Sequence, residues 1–246
     1  MRESLSRIFT LTRRNIKEII RDPLSLIFMI ALPLFMEILL YYLFHGLTNQ
    51  FDMKYLAPGI VVFSQSFLSL FTGTLIALDR ASSFLTRLYV SKAKPFEFIT
   101  GYMLAMLPIT IVQSILFFAV GGIIDSSIFC VGMIWAILLS LVTSLLFISF
   151  GVLFGSLCNE KSIGGIASIV ISCQSVLSGM WFPVEGLSGG FMTLMNILPF
   201  RNASLAVQYA LTGDGGVLVP TLIVLGYTAV IFAASVFAFG KKMKAD

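Results

Sequence analysis

The sequence has 246 residues, of which 58% are apolar and 11% charged, with a net charge of +4. A soluble domain carries about 25% charged residues, and a chain of this size cannot bury so much apolar surface in its own core. The composition therefore excludes a soluble globular protein and predicts an integral membrane protein. The basic residues fall in four clusters between apolar runs, which is typical of membrane-protein loops and excludes a nucleic-acid-binding patch.

Residues 2–22 are predicted to form an amphipathic helix on the membrane surface. One face is mostly apolar, at the i, i+3, i+4, i+7 spacing of a helix, and consists of Leu5, Ile8, Phe9, Thr12, Ile16, Ile19 and Ile20. The other face carries Arg7, Arg14, Lys17, Glu18 and Arg21. This pattern favours an interfacial helix, the alternative being a solvated helix packed on a soluble partner. Pro23 disfavours helical geometry at Asp22, so we expect the chain to turn there.

Six apolar runs follow, each long enough to cross a hydrocarbon core of about 30 Å, which takes about 20 residues. They occupy residues 24–44, 56–78, 98–124, 128–157, 163–182 and 217–240. A short hairpin at residues 125–127 separates the third run from the fourth. The fold prediction is an all-α integral membrane protein with six transmembrane helices.

The connections between these spans differ sharply in charge. They leave 14 of the 16 lysine and arginine residues on one side, and only Lys54 and Arg201 on the other. Because basic loops stay in the cytoplasm, both termini are predicted to be cytoplasmic.

The outer connection between spans five and six is predicted to contain two short helices. Phe191, Leu194, Met195 and Leu198 share the face of a first helix that Pro199 ends. We expect Asn202 to cap a second helix over residues 203–211, ending near Gly213.

The sequence offers no catalytic chemistry. His45 is the only histidine, so a nucleophile has no histidine base. Residues 155–162 superficially resemble a phosphate-binding loop, but Glu160 stands where that loop needs its second glycine and would repel phosphates. We therefore predict that the chain is not an enzyme and binds no cofactor.

Three features within or beside the spans are candidates for packing or function. Gly151 and Gly155 are spaced for close helix packing in span four. Glu37 is the one charged residue well inside a span, which suggests a transport path; the alternative is that it reaches water or a cation such as Arg201. The basic segment between spans two and three is predicted to form a short cytoplasmic helix, with Phe84, Leu85 and Leu88 on one apolar face. That face fits a partner, the alternative being a helix held by lipid.

The layout resembles the permease subunit of an ABC-2 type transporter: an interfacial helix, six spans, a cytoplasmic helix after span two and an outer helical pair before span six. The local resemblance is carried by the stretch 177–183 (LSGMWFP), by Leu198-Pro199, and by residues 87–91 and 97–101 around the coupling segment. The sequence departs from the family pattern at Ser83, Thr86 and Lys92, where glycine, an acidic residue and proline are usual.

This resemblance implies one ABC-2 transmembrane domain over residues 1–246, with the interfacial helix at 1–22 and the six-span bundle at 24–240. It implies an exporter in the bacterial cytoplasmic membrane, dimerised with a second permease subunit, identical or related. Two separate ATP-binding subunits would hold ATP and Mg²⁺. The expected cargo is apolar or amphipathic.

The resemblance also implies site residues. Contact with the ATP-binding subunit is expected at Phe84, Leu85, Arg87 and Leu88. Spans one, two and five are expected to face the second permease subunit. That places Glu37, together with Met180, Trp181 and Phe182 at the end of span five, along the transport path. The alternative for Trp181 and Phe182 is the aromatic belt at the edge of the bilayer. The alternatives are an ATP-independent secondary transporter or channel, which favours several intramembrane charges, and a membrane-embedded enzyme, which needs paired catalytic groups inside the spans.

Overall fold

The computed structural model describes residues 2–82, 94–182, 184 and 187–242, and within them the protein is helical without strands. The nine α-helices of these ranges, labelled in chain order, are α1 (Arg2–Ile20), α2 (Pro23–Phe44), α3 (Met53–Ala81), α4 (Pro95–Ile124), α5 (Val131–Leu157), α6 (Glu160–Leu177), α7 (Gly189–Ile197), α8 (Pro199–Thr212) and α9 (Leu218–Lys242). Short 3₁₀ turns at Asn49–Phe51 and Ser126–Ile128 follow α2 and α4.

Five of these helices, α2, α3, α4, α5 and α9, are long and apolar enough to cross a membrane. The chain is thus a multi-pass membrane protein. The fifth predicted span corresponds to α6, which has 18 residues and begins with the charged pair Glu160 and Lys161. The chain turns between α1 and α2 as expected, and the Asp22 side chain accepts a hydrogen bond from the Ser25 backbone N–H at the start of α2.

The end of the fifth predicted span is wrong. The apolar run continues to Phe182, but the helix ends at Leu177, and Gly179 has a φ of 73°. A left-handed backbone suits glycine and does not continue a helix. Met180, Trp181 and Phe182 therefore lie in the connection after α6 and not on it.

The outer helices differ from prediction in two respects, the start of the second helix and the role of Asn202. The first, α7, forms, but the second begins at Pro199, four residues earlier than expected, because proline suits the first position of a helix. Asn202 is inside α8 and donates hydrogen bonds of 2.8 Å to the carbonyls of Asn196 and Leu198. It ties the two helices together instead of capping the second. The predicted end is confirmed at Gly213, which has a φ of 75°.

Helix α3 lies at the centre of the bundle and packs most extensively on α5. The two backbones meet at Gly151 and Gly155 of α5. A Cβ at position 151 would lie 2.6 Å from the Ser69 carbonyl oxygen, and one at 155 would lie 2.8 Å from that of Gly73. No side chain fits in that space, so the predicted close packing of these two glycines is confirmed.

Candidate functional site

The ends of α3 and α4 flank residues 83–93, and we call these ends the stem: residues 79–82 and 94–97. On the α3 side, the Asp79 carboxylate is only 3% exposed. It accepts two hydrogen bonds from the Arg14 guanidinium of α1, and one of 2.5 Å from the Tyr102 hydroxyl of α4. One buried acid thus joins three helices.

The Arg14 charge is fixed by this contact. Burial alone would lower the pKa of the Arg14 guanidinium, but the hydrogen bonds and charge of Asp79 outweigh it and raise the pKa above its ordinary value. Arg14 therefore stays charged at any physiological pH.

On the α4 side, Glu97 is 1% exposed and likewise binds side chains of α1. Its carboxylate accepts hydrogen bonds from Arg7 Nε at 2.9 Å and from the Ser4 hydroxyl at 2.5 Å, both on α1. It also accepts one of 3.1 Å from the Lys94 backbone N–H, which satisfies an otherwise unpaired donor at the start of α4.

Arg80 attaches the stem to a further helix. Its Nη1 atom donates to the carbonyl oxygens of Gly155, Ser156 and Cys158 at 2.7, 2.8 and 3.0 Å. These carbonyls lie at the end of α5, where backbone acceptors lack helical partners and the helix dipole favours a cation. A displacement of the end of α3 would therefore also displace the end of α5.

The stem is held on both sides. Asp79 and Arg80 fix the end of α3 to α1, α4 and α5, while Glu97 fixes the start of α4 to α1. The predicted coupling residues Phe84, Leu85, Arg87 and Leu88 lie outside the described residues, between these two anchors. A force applied to residues 83–93 would therefore be transmitted to at least four helices.

Sequence reasoning missed these anchors. Arg80 and Arg14 contributed to the prediction only through charge and amphipathicity, and Asp79 and Tyr102 had no predicted role. Glu97 appeared only within the stretch 97–101 that resembles the coupling segment. One signal was available: a single acid stands at the end of each span that borders the basic segment. The cations that meet these acids are 65 and 90 residues away, and nothing local identifies them.

At the opposite end of α3, a cavity of about 610 Å³ opens between α3, α8 and the segment after α6. Its wall is mostly polar and includes Asn49, Gln50, Tyr55, Ser204, Gln208 and Tyr209, with Arg201 as its cation. Arg201 donates a hydrogen bond to the Asn196 side chain. Gln50 donates to the Gly179 carbonyl, which fixes the segment that carries Met180.

Of the predicted path residues, only Met180 lines this cavity. Trp181 packs edge-to-face on Phe63 of α3, with ring centroids 5.6 Å apart, and its indole N–H donates to the Ser175 hydroxyl of α6. Both Trp181 and Phe182 are partly buried and do not line the cavity. The assignment of these three residues to a transport path stays a prediction.

Glu37 is fully buried, and neither carboxyl oxygen has a hydrogen-bond partner among the described residues. The contact with Arg201 does not form, and Arg201 donates to the Asn196 side chain instead. Its Oε1 would lie 3.2 Å from a Cβ at Gly121 of α4, and Ala57 of α3 borders the same spot.

Met180 instead packs against Gly59. Residues 57 and 59 point to nearly opposite sides of a helix, because two residues turn it by about 200°. Helix α3 therefore stands between Glu37 and Met180, and the two predicted path residues do not converge. A role for Glu37 in transport stays a prediction.

Comparison with known proteins gives one family. The model of the ABC-2 type transporter family matches residues 6–212, well over half of the chain. A search of curated proteins finds no match. The match includes α1, the stem, α5, α6 and the polar cavity. Since the match spans most of α1 and most of the helical bundle, the chain belongs to the ABC-2 type transporter family and is the membrane domain of an ABC-type transporter.

Proposed function

We propose that this chain is the permease subunit of an ATP-driven ABC-2 exporter in the bacterial cytoplasmic membrane. Two separate ATP-binding subunits hold ATP and Mg²⁺ and dock on residues 83–93. A second permease subunit, identical or related, completes the membrane part. The exporter moves an apolar or amphipathic substrate out of the cytoplasm.

The stem is the observation that carries this proposal. A segment that receives force from a partner is useful only if its ends are attached to the helices that must move. Asp79 and Glu97 attach both ends to α1, and Arg80 attaches one end to α5. The bonds use charged groups, which make stronger hydrogen bonds than neutral pairs and hold the ends firmly.

We further propose that α6 is the fifth of six spans. Its 18 residues measure about 27 Å at 1.5 Å per residue, close to the hydrocarbon thickness. The charged residues Glu160 and Lys161 stand at its first turn, where headgroups and water are in reach. With six crossings both termini lie on the same side, in agreement with the basic residues being concentrated there.

By resemblance to the family, the dimer contact is expected on spans one, two and five, and of these α2 and α6 leave the most apolar surface for it. Both keep exposed apolar side chains, among them Phe35 of α2 and Ile169 and Val176 of α6. Most of α3 is buried within its own subunit, so this second span has little surface left for a partner. The polar cavity and Met180 are proposed to border the outer end of the path.

The test is a carboxylate introduced on the apolar face of the coupling segment. In a complex reconstituted with its ATP-binding subunits, Leu88→Asp should abolish co-purification of these subunits and substrate-stimulated ATP hydrolysis. Membrane insertion should be unchanged, because the residue lies outside the spans. Lys161→Asp places the same group in another predicted cytoplasmic connection. This control should retain both the co-purification of the ATP-binding subunits and the substrate-stimulated ATP hydrolysis. Normal ATPase stimulation in Leu88→Asp would remove the segment from the mechanism.

A further inference from the structure

Helix α1 has three faces, of which the first is fixed to the bundle. Leu11, Asn15 and Ile19 are at most 8% exposed, and this side of α1 packs chiefly against α4. The contact is closest at Gly101 of α4, where a Cβ would lie 2.9 Å from that of Leu11. The orientation of α1 about its own axis is therefore set by packing.

The second face is apolar and exposed. Leu5 is 60% exposed, Phe9 71% and Ile20 65%, and together with the partly exposed Ile16 they fall within an arc of about 60°. Ile20 lies three residues before α2, whose exposed Leu24, Ile27 and Phe28 begin a candidate span. The bilayer that covers the start of α2 is thus the natural cover for this stripe of α1.

The third face is cationic. Arg13, Lys17 and Arg21 follow one another at four-residue spacing, so they lie in a row along the helix. They border a groove of about 550 Å³ whose wall otherwise consists of Thr10, Arg14 and Glu18. Glu18 forms its ion pair with Arg14, at 2.6 Å. None of the three row residues forms an ion pair within the part of the chain that the structure describes.

We propose that Arg13, Lys17 and Arg21 bind the phosphate groups of anionic lipids in the leaflet on which α1 lies. The apolar stripe enters the acyl boundary, and the adjacent cations reach the depth of the phosphates, because the packed face prevents α1 from rolling. Two ligands could neutralise the cationic row: lipid phosphates or an acidic protein surface. Lipid is favoured because the row borders the exposed apolar stripe, and a bilayer would cover that stripe and the exposed start of α2 at the same time.

The test measures lipid binding by the purified full-length chain alone, so that it does not depend on ATP-binding subunits. Phosphatidylglycerol or phosphatidylcholine is titrated into the protein in neutral detergent, and bound lipid is counted by native mass spectrometry. Each cation near an anionic surface contributes roughly fivefold in affinity. The variant Arg13→Gln/Lys17→Gln/Arg21→Gln should therefore bind phosphatidylglycerol about 100-fold more weakly, with phosphatidylcholine binding unchanged.

The control removes three charges elsewhere. Lys54→Gln/Lys161→Gln/Lys241→Gln also lowers the net charge from +4 to +1, and it should keep phosphatidylglycerol affinity within threefold of wild type. The variant Arg13→Lys/Arg21→Lys should bind as wild type, since a row of charges and not guanidinium geometry is required. Equal losses in both triple variants, or wild-type affinity in the first, would overturn the proposal. Wild-type lipid binding by the first variant, together with loss of the ATP-binding subunits in a separate co-purification, would identify the face as a protein contact.

Discussion

At the residue scale, Glu37 is a buried acid whose two carboxyl oxygens have no hydrogen-bond partner among the described residues. A buried polar group without a hydrogen bond destabilises the folded state by about 1–3 kcal/mol. Its Oε1 lies beside Gly121, where the side chains of Met53 and Ala57 also meet. Ionisable groups within membrane spans are costly and mark functional sites, which makes Glu37 a candidate for one.

Substitutions at Glu37 distinguish a structural role of the carboxyl from a role in transport. Glu37→Met removes the unpartnered oxygens at similar volume and should raise the free energy of unfolding by about 1–2 kcal/mol. Glu37→Gln should fold at least as stably as wild type but transport less in proteoliposomes, if the carboxyl belongs to the path. Unfolding is followed by heating in detergent, with the exposed Glu160→Gln as the control. Wild-type transport by Glu37→Gln at every pH would make the carboxyl structural.

The acids of the stem illustrate the limit of sequence reasoning at this scale. The spacing of Leu5, Ile8, Phe9 and Ile16 was sufficient to predict α1 as a helix. The same pattern grouped Arg7 and Arg14 with Lys17 and Arg21 as one basic face. The structure divides this group: Arg7 and Arg14 bind Glu97 and Asp79, whereas Lys17 and Arg21 face outward. That division depends on partners in α3 and α4, which periodicity within α1 does not contain.

At the element scale, hydrophobicity predicted the long helices well. The observed bounds of α2, α4 and α9 fall within three residues of the predicted ones, because long apolar runs leave few alternatives. The errors occur where backbone chemistry overrides composition. The apolar stretch after Leu177 has the composition of a transmembrane helix, but the backbone of Gly179 is left-handed and the helix does not continue. The first outer helix ends just before Pro199 as predicted, but Pro199 also starts α8, which was predicted to begin at residue 203.

A double-mutant cycle on Arg14 and Asp79 can measure how strongly their contact holds α1 to α3. Arg14→Gln leaves the Asp79 carboxylate buried with only the Tyr102 hydroxyl, and we expect a loss of about 2 kcal/mol, reduced because Arg14 is partly exposed. Adding Asp79→Asn should recover much of it, since the unpaired charge is removed.

Thermal unfolding of the four proteins in detergent gives the coupling energy of the pair. Lys161→Gln, which removes an exposed cation, should change stability by less than about 0.5 kcal/mol. Losses that simply add in the double variant would mean that Arg14 and Asp79 do not interact.

At the scale of the whole molecule, the number of crossings decides where the ends are. Five crossings would put the termini on opposite sides of the membrane, and six put them on the same side. Helix α6 alone determines which is right, because the other five are long and apolar enough by themselves. Its mixed composition is the reason that length and hydropathy do not settle the count.

Cysteine labelling tests this arrangement directly. In a background without Cys130, Cys158 and Cys173, single cysteines at Gly215 and Asn159 flank α6 and the outer helices. We expect a membrane-impermeant maleimide to label position 215 in intact cells, and position 159 only after permeabilisation. The two exposed positions serve as controls for each other. Labelling of both from outside would mean that α6 does not cross.

The contact between Arg7 and Glu97 joins residues that are 90 positions apart. A ribosome adding about 5–20 residues per second needs roughly 5–18 s to make the intervening chain. During this interval α1 is already synthesised, while α4, which will receive its inner face and Arg7, does not yet exist. Until α4 is made, an amphipathic helix with a cationic row is most stable on the lipid surface. The order of synthesis thus makes the bilayer the first binding partner of α1, and the helical bundle the second.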